Sequence, residues 1–488
     1  MRLHTKLEYH CRQMSNTIGR GRGLLVAALA FAACTKANPA ATCSDGTCPD
    51  EAFPFCDTHG VISGDSASCI AVSCTPSVFA ACDGDSSIVC NASGDNYDVS
   101  ACAHGCSAAI GGCNECSAGD ARCADGAVET CGSDGHFAET ETCLAECATT
   151  PTPHCSHISP RFLPDICDVP APDASFNVNQ SGQLDSSLDA NCNGGVVTQS
   201  GAPSLCVMHY GAISIDAPAT LSIIGDRSIA FVADDDMVVS GTVDLGAKQN
   251  TNGPGGGLTT SGGLPTDHGG GGGAGFATSG GAGASQTFDG GALNAGTATA
   301  NPISYSALVG GPRSTGGGGG AAAFISCRGR MRVEGTVTSG GGGGLGAPRL
   351  FGGALGGFGG GAGGYVVFQA LDVVVTGEVY ANGGGGGAGA NASPATGDQN
   401  GADGGPADTV PAAGGPPQTG AGAGGPGGIR SADPQGGKHP SNSASAVGGG
   451  GGGSVGFFQT YTPAGVTPTL TPSHASPGFQ PNATIPTR

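Results

Sequence analysis

Three consecutive aspartates, Asp234, Asp235 and Asp236, stand shortly after Asp226 and Arg227 in a stretch otherwise dominated by apolar and β-branched residues. Carboxylates at that density can gather a hard cation, and calcium, which takes about six to eight oxygen ligands, is the ion they would suit. The plainer reading is a solvated acidic turn. The glycine-rich calcium repeat GGxGxDxUx is missing, since GGAGASQTF lacks its aspartate. Nucleophile–base constellations are missing too. There is no GxSxG and no HExxH, and matches to phosphate-binding glycine patterns mean nothing where a third of a region is glycine. No catalytic residue and no cofactor is assigned, and Asp234, Asp235 and Asp236 are the calcium candidates.

The densest reactive chemistry is in the cysteines. Cys74, Cys82, Cys90, Cys102, Cys106 and Cys113 are followed by Cys116, Cys123, Cys131, Cys143, Cys147 and Cys155, each 41 or 42 residues after its counterpart. Six agreeing positions mark a repeat, and a shorter relative with Cys43, Cys48, Cys56 and Cys69 precedes it. Modules this small cannot bury a real core, and bridges worth about 2–4 kcal/mol each can replace one. Six cysteines allow about 15 connectivities, among which sequence does not choose. Zinc is the alternative, because Cys113 and Cys116 form a CxxC near His104, His136 and His154. The second cysteine pair of a zinc site is missing, however, and the CxxC straddles two repeat copies. A thioredoxin-like redox site lacks its βαβ surroundings.

Such cysteine use fits an oxidising compartment, and the N-terminus reads as an address. Arg20 and Arg22 precede the apolar run LLVAALAFAA, which ends at Cys34. This has the layout of a signal peptide, and ten apolar residues are too few to span a bilayer, which takes about 20. Initiation at Met14 would give a leader of ordinary length. The run FAAC resembles a lipobox, with Phe31 where Leu is usual, so Cys34 is expected to be cleaved and lipidated. Cleavage after Ala30 or Ala32 is the alternative. Without Cys11 and Cys34 an even number of cysteines remains. Thr35, rather than Asp, follows the cysteine, which by the lipoprotein sorting rule favours the outer membrane. Without residues 1–33 the net charge falls from −20 to −24, a surface that repels phosphate backbones and speaks against nucleic-acid partners.

Behind the cysteines the pattern changes. Ile213, Ile215, Leu221 and Ile223 alternate onto one face, and so do Ile229, Phe231, Ala233, Met237, Val239, Val243 and Leu245. Period-two alternation is the mark of strands. The segment Ile229–Leu245 recurs as Ala323–Ser339 and Val366–Ala381, with Met237 matched to Met331 and Gly241, Gly335 and Gly377 in one slot. A shorter copy begins at Ser454. Stacked strand–turn–strand units predict a parallel β-helix, or β-solenoid. A sandwich with hairpin connections is the runner-up. The chain holds 95 glycines, 70 of them within residues 251–460, and runs such as Gly340–Gly344 and Gly383–Gly387 directly follow rungs. They read either as flexible linkers or as extended polyproline-II-like strands that approach closely and bond backbone to backbone. The stretch 388–446 reads as the looser part.

The expected fold class is therefore mainly β, with small disulfide-rich repeats followed by a parallel β-helix carrying long glycine-rich loops. The expected division is a signal peptide (1–33), a tether (34–42), cysteine repeats (43–157), first rungs (158–250), glycine-rich solenoid (251–460) and a Thr/Pro-rich tail (461–488) without a fold of its own.

The segments FAAC, PFCDTHGVISGDSASCIAVSCTP, RFLPDICDVPAP and CNGGVVTQSG…LCVMHYGAISI, with the glycine-interrupted rungs, resemble a group of uncharacterised exported lipoproteins of myxobacterial type. The resemblance covers most of the chain and implies an exported architecture but no activity. Within it, Cys192 and Cys206 fit a disulfide closing the loop NGGVVTQSGAPSL, which leaves Cys167 and Cys327 to pair. The expected function is a non-enzymatic, lipid-anchored surface protein, structural or adhesive, meeting extracellular polysaccharide or other surface proteins. With no Trp to stack on sugars, a lectin-like pocket is not favoured, and contact would come from loops and polar edges. One alternative is a polysaccharide-acting enzyme, by analogy with parallel β-helix lyases that place calcium-binding carboxylates and an arginine on their rungs. Another is a metal or redox module in the cysteine repeats.

Overall fold

A computed structural model of the chain describes residues 42–266, 269–285, 294–299, 305–347, 349–350, 353–391, 399–417, 420–441 and 446–488. The leader, most of the tether and the lipidation candidate Cys34 lie outside the described residues. The chain divides into two compact units, one running to Thr142 with residues 149–153, the other holding Cys143–Ala148 and His154–Arg488. Among the described residues no helix is long and apolar enough to cross a membrane.

In the first unit short antiparallel sheets are tied by sulfur. Phe79–Asp83, Ser86–Cys90 and Tyr97–Ala101 form one three-stranded sheet, and Ala121–Ala124, Ala127–Cys131 and Phe137–Thr142 form its repeat. The bridges are Cys74–Cys90, Cys82–Cys106 and Cys102–Cys113 in the first copy. Cys116–Cys131 falls at the matching place in the second. Cys43–Cys56 and Cys48–Cys69 close the shorter relative. Cys123 and Cys147, the counterparts of Cys82 and Cys106, are disulfide-bonded as well.

The second unit contains the solenoid. A coil has three short sides, and the second coil shows them plainly as Ser228–Ala233, Met237–Val239 and Thr242–Asp244. The third is Ala321–Ser326, Arg330–Val333 and Thr336–Thr338, and the fourth is Tyr365–Gln369, Asp372–Val375 and Glu378–Tyr380. All pair in parallel with the coil before them. The register stacks like on like, as Met237 on Met331, Val239 on Val333 on Val375, and Val243 on Val337 on Val379. Inside, Phe231, Phe324 and Phe368 form an aromatic stack with ring centroids 5.3 and 5.4 Å apart. The alternating residues read from sequence are these inward-facing ones. At one corner Gly241, Gly335 and Gly377 lie over one another. A Cβ on Gly377 would sit 2.0 Å from the carbonyl oxygen of Gly335, so the corner admits only glycine.

Two expectations need correction. In the third coil the sequence alignment matches Ala323 to Ile229, but the pairing is Ala322 with Ile229 and Phe324 with Phe231. A one-residue slip exchanges the two faces of a strand. Ala322 and Phe324 therefore point inward, whereas Ala323, Ile325 and Cys327 pack on the outer side. The cause is turn length, because the bend before Met331 holds one residue more than the bend before Met237. Nor is the tail without structure. Phe457–Thr462, Thr469–Leu470 and His474–Ser476 make a complete fifth coil, and Ala483–Thr484 adds to its first side. Inward-facing Phe458 and Ala475 hold that coil to the core.

The glycine runs are ordered by each other. Gly383, Gly386 and Gly389 donate backbone bonds to the carbonyls of Gly428, Gly425 and Gly422. Gly384 and Gly387 donate to Gly361 and Phe358, and Gly385 and Ala388 donate to Ala402 and Gln399. Donors that return to the same direction every third residue mark a threefold, polyproline-II-like strand. Three further neighbours donate back, as in Gly453 to Gly384, Gly344 to Gly385 and Gly415 to Gly386. The run thus has six neighbours in a near-hexagonal bundle. Much of 388–446, expected to be looser, supplies some of them through the described residues 399–402, 413–415 and 422–428.

Candidate functional site

The acidic turn after Ala233 lies on a corner of the second coil, and the structure points its three carboxylates at three different partners. Asp234 Oδ1 lies 2.7 Å from His209 Nε2 and its Oδ2 accepts the Ala171 N–H at 2.9 Å. Asp235 pairs with Arg328 at 3.3 Å. Asp236 accepts the Arg330 N–H at 2.7 Å. Asp226 and Arg227 turn elsewhere, Arg227 pairing with Asp189 at 2.6 Å. The calcium candidates therefore form no common ligand set. Among the described residues, three or more potential ligand atoms of His, Cys, Asp or Glu gather closely only at Cys43, Cys48 and Cys69, and those sulfurs are spent in disulfides. Likewise the CxxC at Cys113 and Cys116 is divided between two bridges.

What sequence reasoning missed is the His209–Asp234 pair. His209 is in the long strand Leu205–Ile215, one coil before the acidic turn, and its side chain is almost wholly buried. Asn193 holds its backbone from both sides, accepting the His209 N–H and donating to the His209 carbonyl, each at 2.8 Å. The Cys192–Cys206 disulfide fixes the loop that carries Asn193. His209 also lines a groove of about 540 Å³ whose walls include Phe162, Leu163, Ile166, Val169 and Val197. The clue in sequence was separation, because His209 stacks on Val232 one coil later and Asp234 is the next position along the same face, but the coil length is known only once the rungs are aligned.

A histidine with a carboxylate on one ring nitrogen is the base–orienter half of a nucleophilic site. No hydroxyl or thiol among the described residues hydrogen-bonds to His209, so the geometry is that of a polar tie. It joins the segment around Ala171 to the first two coils. Burial pushes the Asp234 carboxyl up, but the bond from His209, the Ala171 N–H and the nearby His209 and Arg328 charges outweigh it and hold it below the ordinary value of 3.8. A depressed carboxylate stabilises the fold above its unfolded pKa, and that contribution is lost as pH falls through the folded one. Asp234→Asn is therefore expected to cost about 1–3 kcal/mol at pH 7 and less at acid pH. Denaturant melts of both proteins at pH 7 and below pH 3 check this, and an equal loss at the two pH values would refute it.

No family model, no curated protein and no solved structure matches the chain.

Proposed function

We propose that the chain is a non-enzymatic, exported protein tethered through a lipid on Cys34 to the outer membrane, with a structural or adhesive role at the cell surface. Its partners would be extracellular polysaccharide or other surface proteins. The observation that supports this reading best is the way the fold is stabilised. Every cysteine among the described residues is disulfide-bonded, and the glycine-rich half is held by backbone bonds that need no large apolar core. Disulfides persist in oxidising compartments, and a body cross-linked in this way suits a scaffold outside the cell. The acidic turn gives the enzymatic alternative no support, since its carboxylates are tied to His209, Arg328 and the Arg330 backbone.

Protease shaving of intact cells carrying a C-terminally tagged copy tests the proposal. The tag is expected to disappear from whole cells, and Cys34→Ser to release the protein from the membrane. A tag protected until the outer membrane is broken would place the protein in the periplasm and end the adhesive reading. Unchanged membrane retention of Cys34→Ser would end the lipid anchor.

A further inference from the structure

The best-prepared unassigned site is a cleft of about 450 Å³ between the outer wall of the fifth coil and the glycine bundle. Its polar lining includes Arg430, Asp433 and Gln480, and its apolar lining includes Val455, Phe457 and Pro477. The backbone under the polar groups is pinned. Ile429 and Ala432 bond to each other across a tight turn that carries Arg430, and the Arg430 N–H donates to Ser476 Oγ at 2.8 Å. The Gln480 N–H donates to the Phe458 carbonyl. The three side chains themselves make no hydrogen bond or ion pair with any described residue. Elsewhere in this unit charged side chains are mostly spent, as at Asp234, Asp235, Asp372 and Asp408. Here a donor-only guanidinium, an acceptor-only carboxylate and an amide that does both share one cleft beside an apolar strip.

We propose that this cleft binds a neutral saccharide unit. A sugar ring carries neighbouring hydroxyls that both donate and accept, matching planar side chains, and an apolar C–H face that fits beside Val455 and Pro477. The volume is in the range of small-ligand sites, roughly 300–1,000 Å³. Charge argues against acidic sugars, because Asp433 offsets Arg430 inside the cleft and the whole chain carries −20. Glycosidic hydrolysis uses two carboxyl groups, and among the described residues Asp433 is the one carboxylate lining this cleft, so the proposal is binding without cutting. A cleft built from loop-borne polar groups also needs no Trp. The inference deepens the proposed surface role, by naming the chemistry of the partner, but can fail separately from it.

The test is saturation-transfer NMR and titration calorimetry on the purified protein with maltotriose, cellotriose, xylotriose and N-acetylated chitotriose, and with the neutral peptide Ala-Ser-Ala. Saturable binding of at least one sugar is expected, weakened about tenfold or more in both Arg430→Ala and Asp433→Ala and unchanged in Lys438→Ala. Both residues are exposed, so these variants are expected to melt like the parent. The proposal is overturned if no sugar binds, if Arg430→Ala and Asp433→Ala bind as the parent does, or if only the peptide binds. These are measurements on isolated protein, so failure leaves the cell-surface reading standing. A protected tag in the shaving experiment would likewise leave the cleft's ligand untouched.

Discussion

Gly386→Ala is expected to destabilise the second unit by about 3–5 kcal/mol, whereas Gly405→Ala changes it by less than about 1 kcal/mol. Neither glycine has a left-handed φ, so backbone conformation does not separate them. Space does. A Cβ on Gly386 would lie 2.1 Å from the carbonyl oxygen of Gly450, while one on Gly405 meets nothing within 4 Å. The obstacle at Gly386 is backbone, which cannot rotate aside as a side chain would. To make room, the strand must pull away from a neighbour, and the bonds from Gly386 to Gly425 and from Gly415 to Gly386 stretch with it. Overpacking costs about 1–3 kcal/mol in cores, and each weakened bond adds about 0.5–1.5 kcal/mol. Two such bonds bring the total to the expected range. Denaturant midpoints of the two variants check the prediction, together with amide exchange across Gly383–Gly389. Equal midpoints and unchanged exchange would mean that the runs do not pack as described.

The same geometry explains what sequence could and could not deliver here. Side-chain alternation showed the inward stripe of Ile229, Phe231, Met237 and Val239, because each residue there faces the core, and Phe231, Met237 and Val239 meet their own kind one coil away. It misplaced Ala323 because a single extra turn residue changes which face a strand presents, and turns leave no periodic trace. In the bundle, recognition runs from backbone to backbone. Glycine's place in the sequence marks where strands approach, but it carries no information on which strand approaches which. The partner of Gly386 is therefore unreadable, although its need for a close partner is not. The last coil looked unfolded because Thr and Pro dominate it, and a few well-placed residues, Phe458 and Ala475 among them, suffice when a finished sheet edge awaits them. Arg430, Asp433 and Gln480 are single residues without spacing or repeat, brought together only by the turn at Ile429–Ala432 and by the fifth coil. Two cysteine pairs expected from the sequence, Cys192–Cys206 closing a loop and Cys167–Cys327 as the pair then left over, are present as bonds.

Of those two bonds, Cys167–Cys327 is expected to matter more. It closes 160 residues, against 14 for Cys192–Cys206. In the chain-entropy account, removing the long link costs about 5 kcal/mol and removing the short one about 3 kcal/mol. The long link also has a structural task. It fastens the segment carrying Leu163 and Ile166 over the outer wall of the coils, where Ala323 and Ile325 are buried. The chain end helps hold the same segment, with Thr487 bridging Ile158 and Arg488 pairing with Asp165 and Asp168. The Cys167→Ser/Cys327→Ser double variant is therefore expected to lose more stability than Cys192→Ser/Cys206→Ser, by about 2 kcal/mol. Exchange should rise at the amides of Ala323–Ile325 in the first variant and not in the second. The two effects have separate origins, since the stability loss arises in the unfolded chain and the exchange in the folded one. A stability loss without faster exchange would mean that Arg488 and the apolar contacts hold the segment unaided. Equal losses in the two double variants would mean that the closed loop, long as it is, constrains the unfolded chain no more than the short one does.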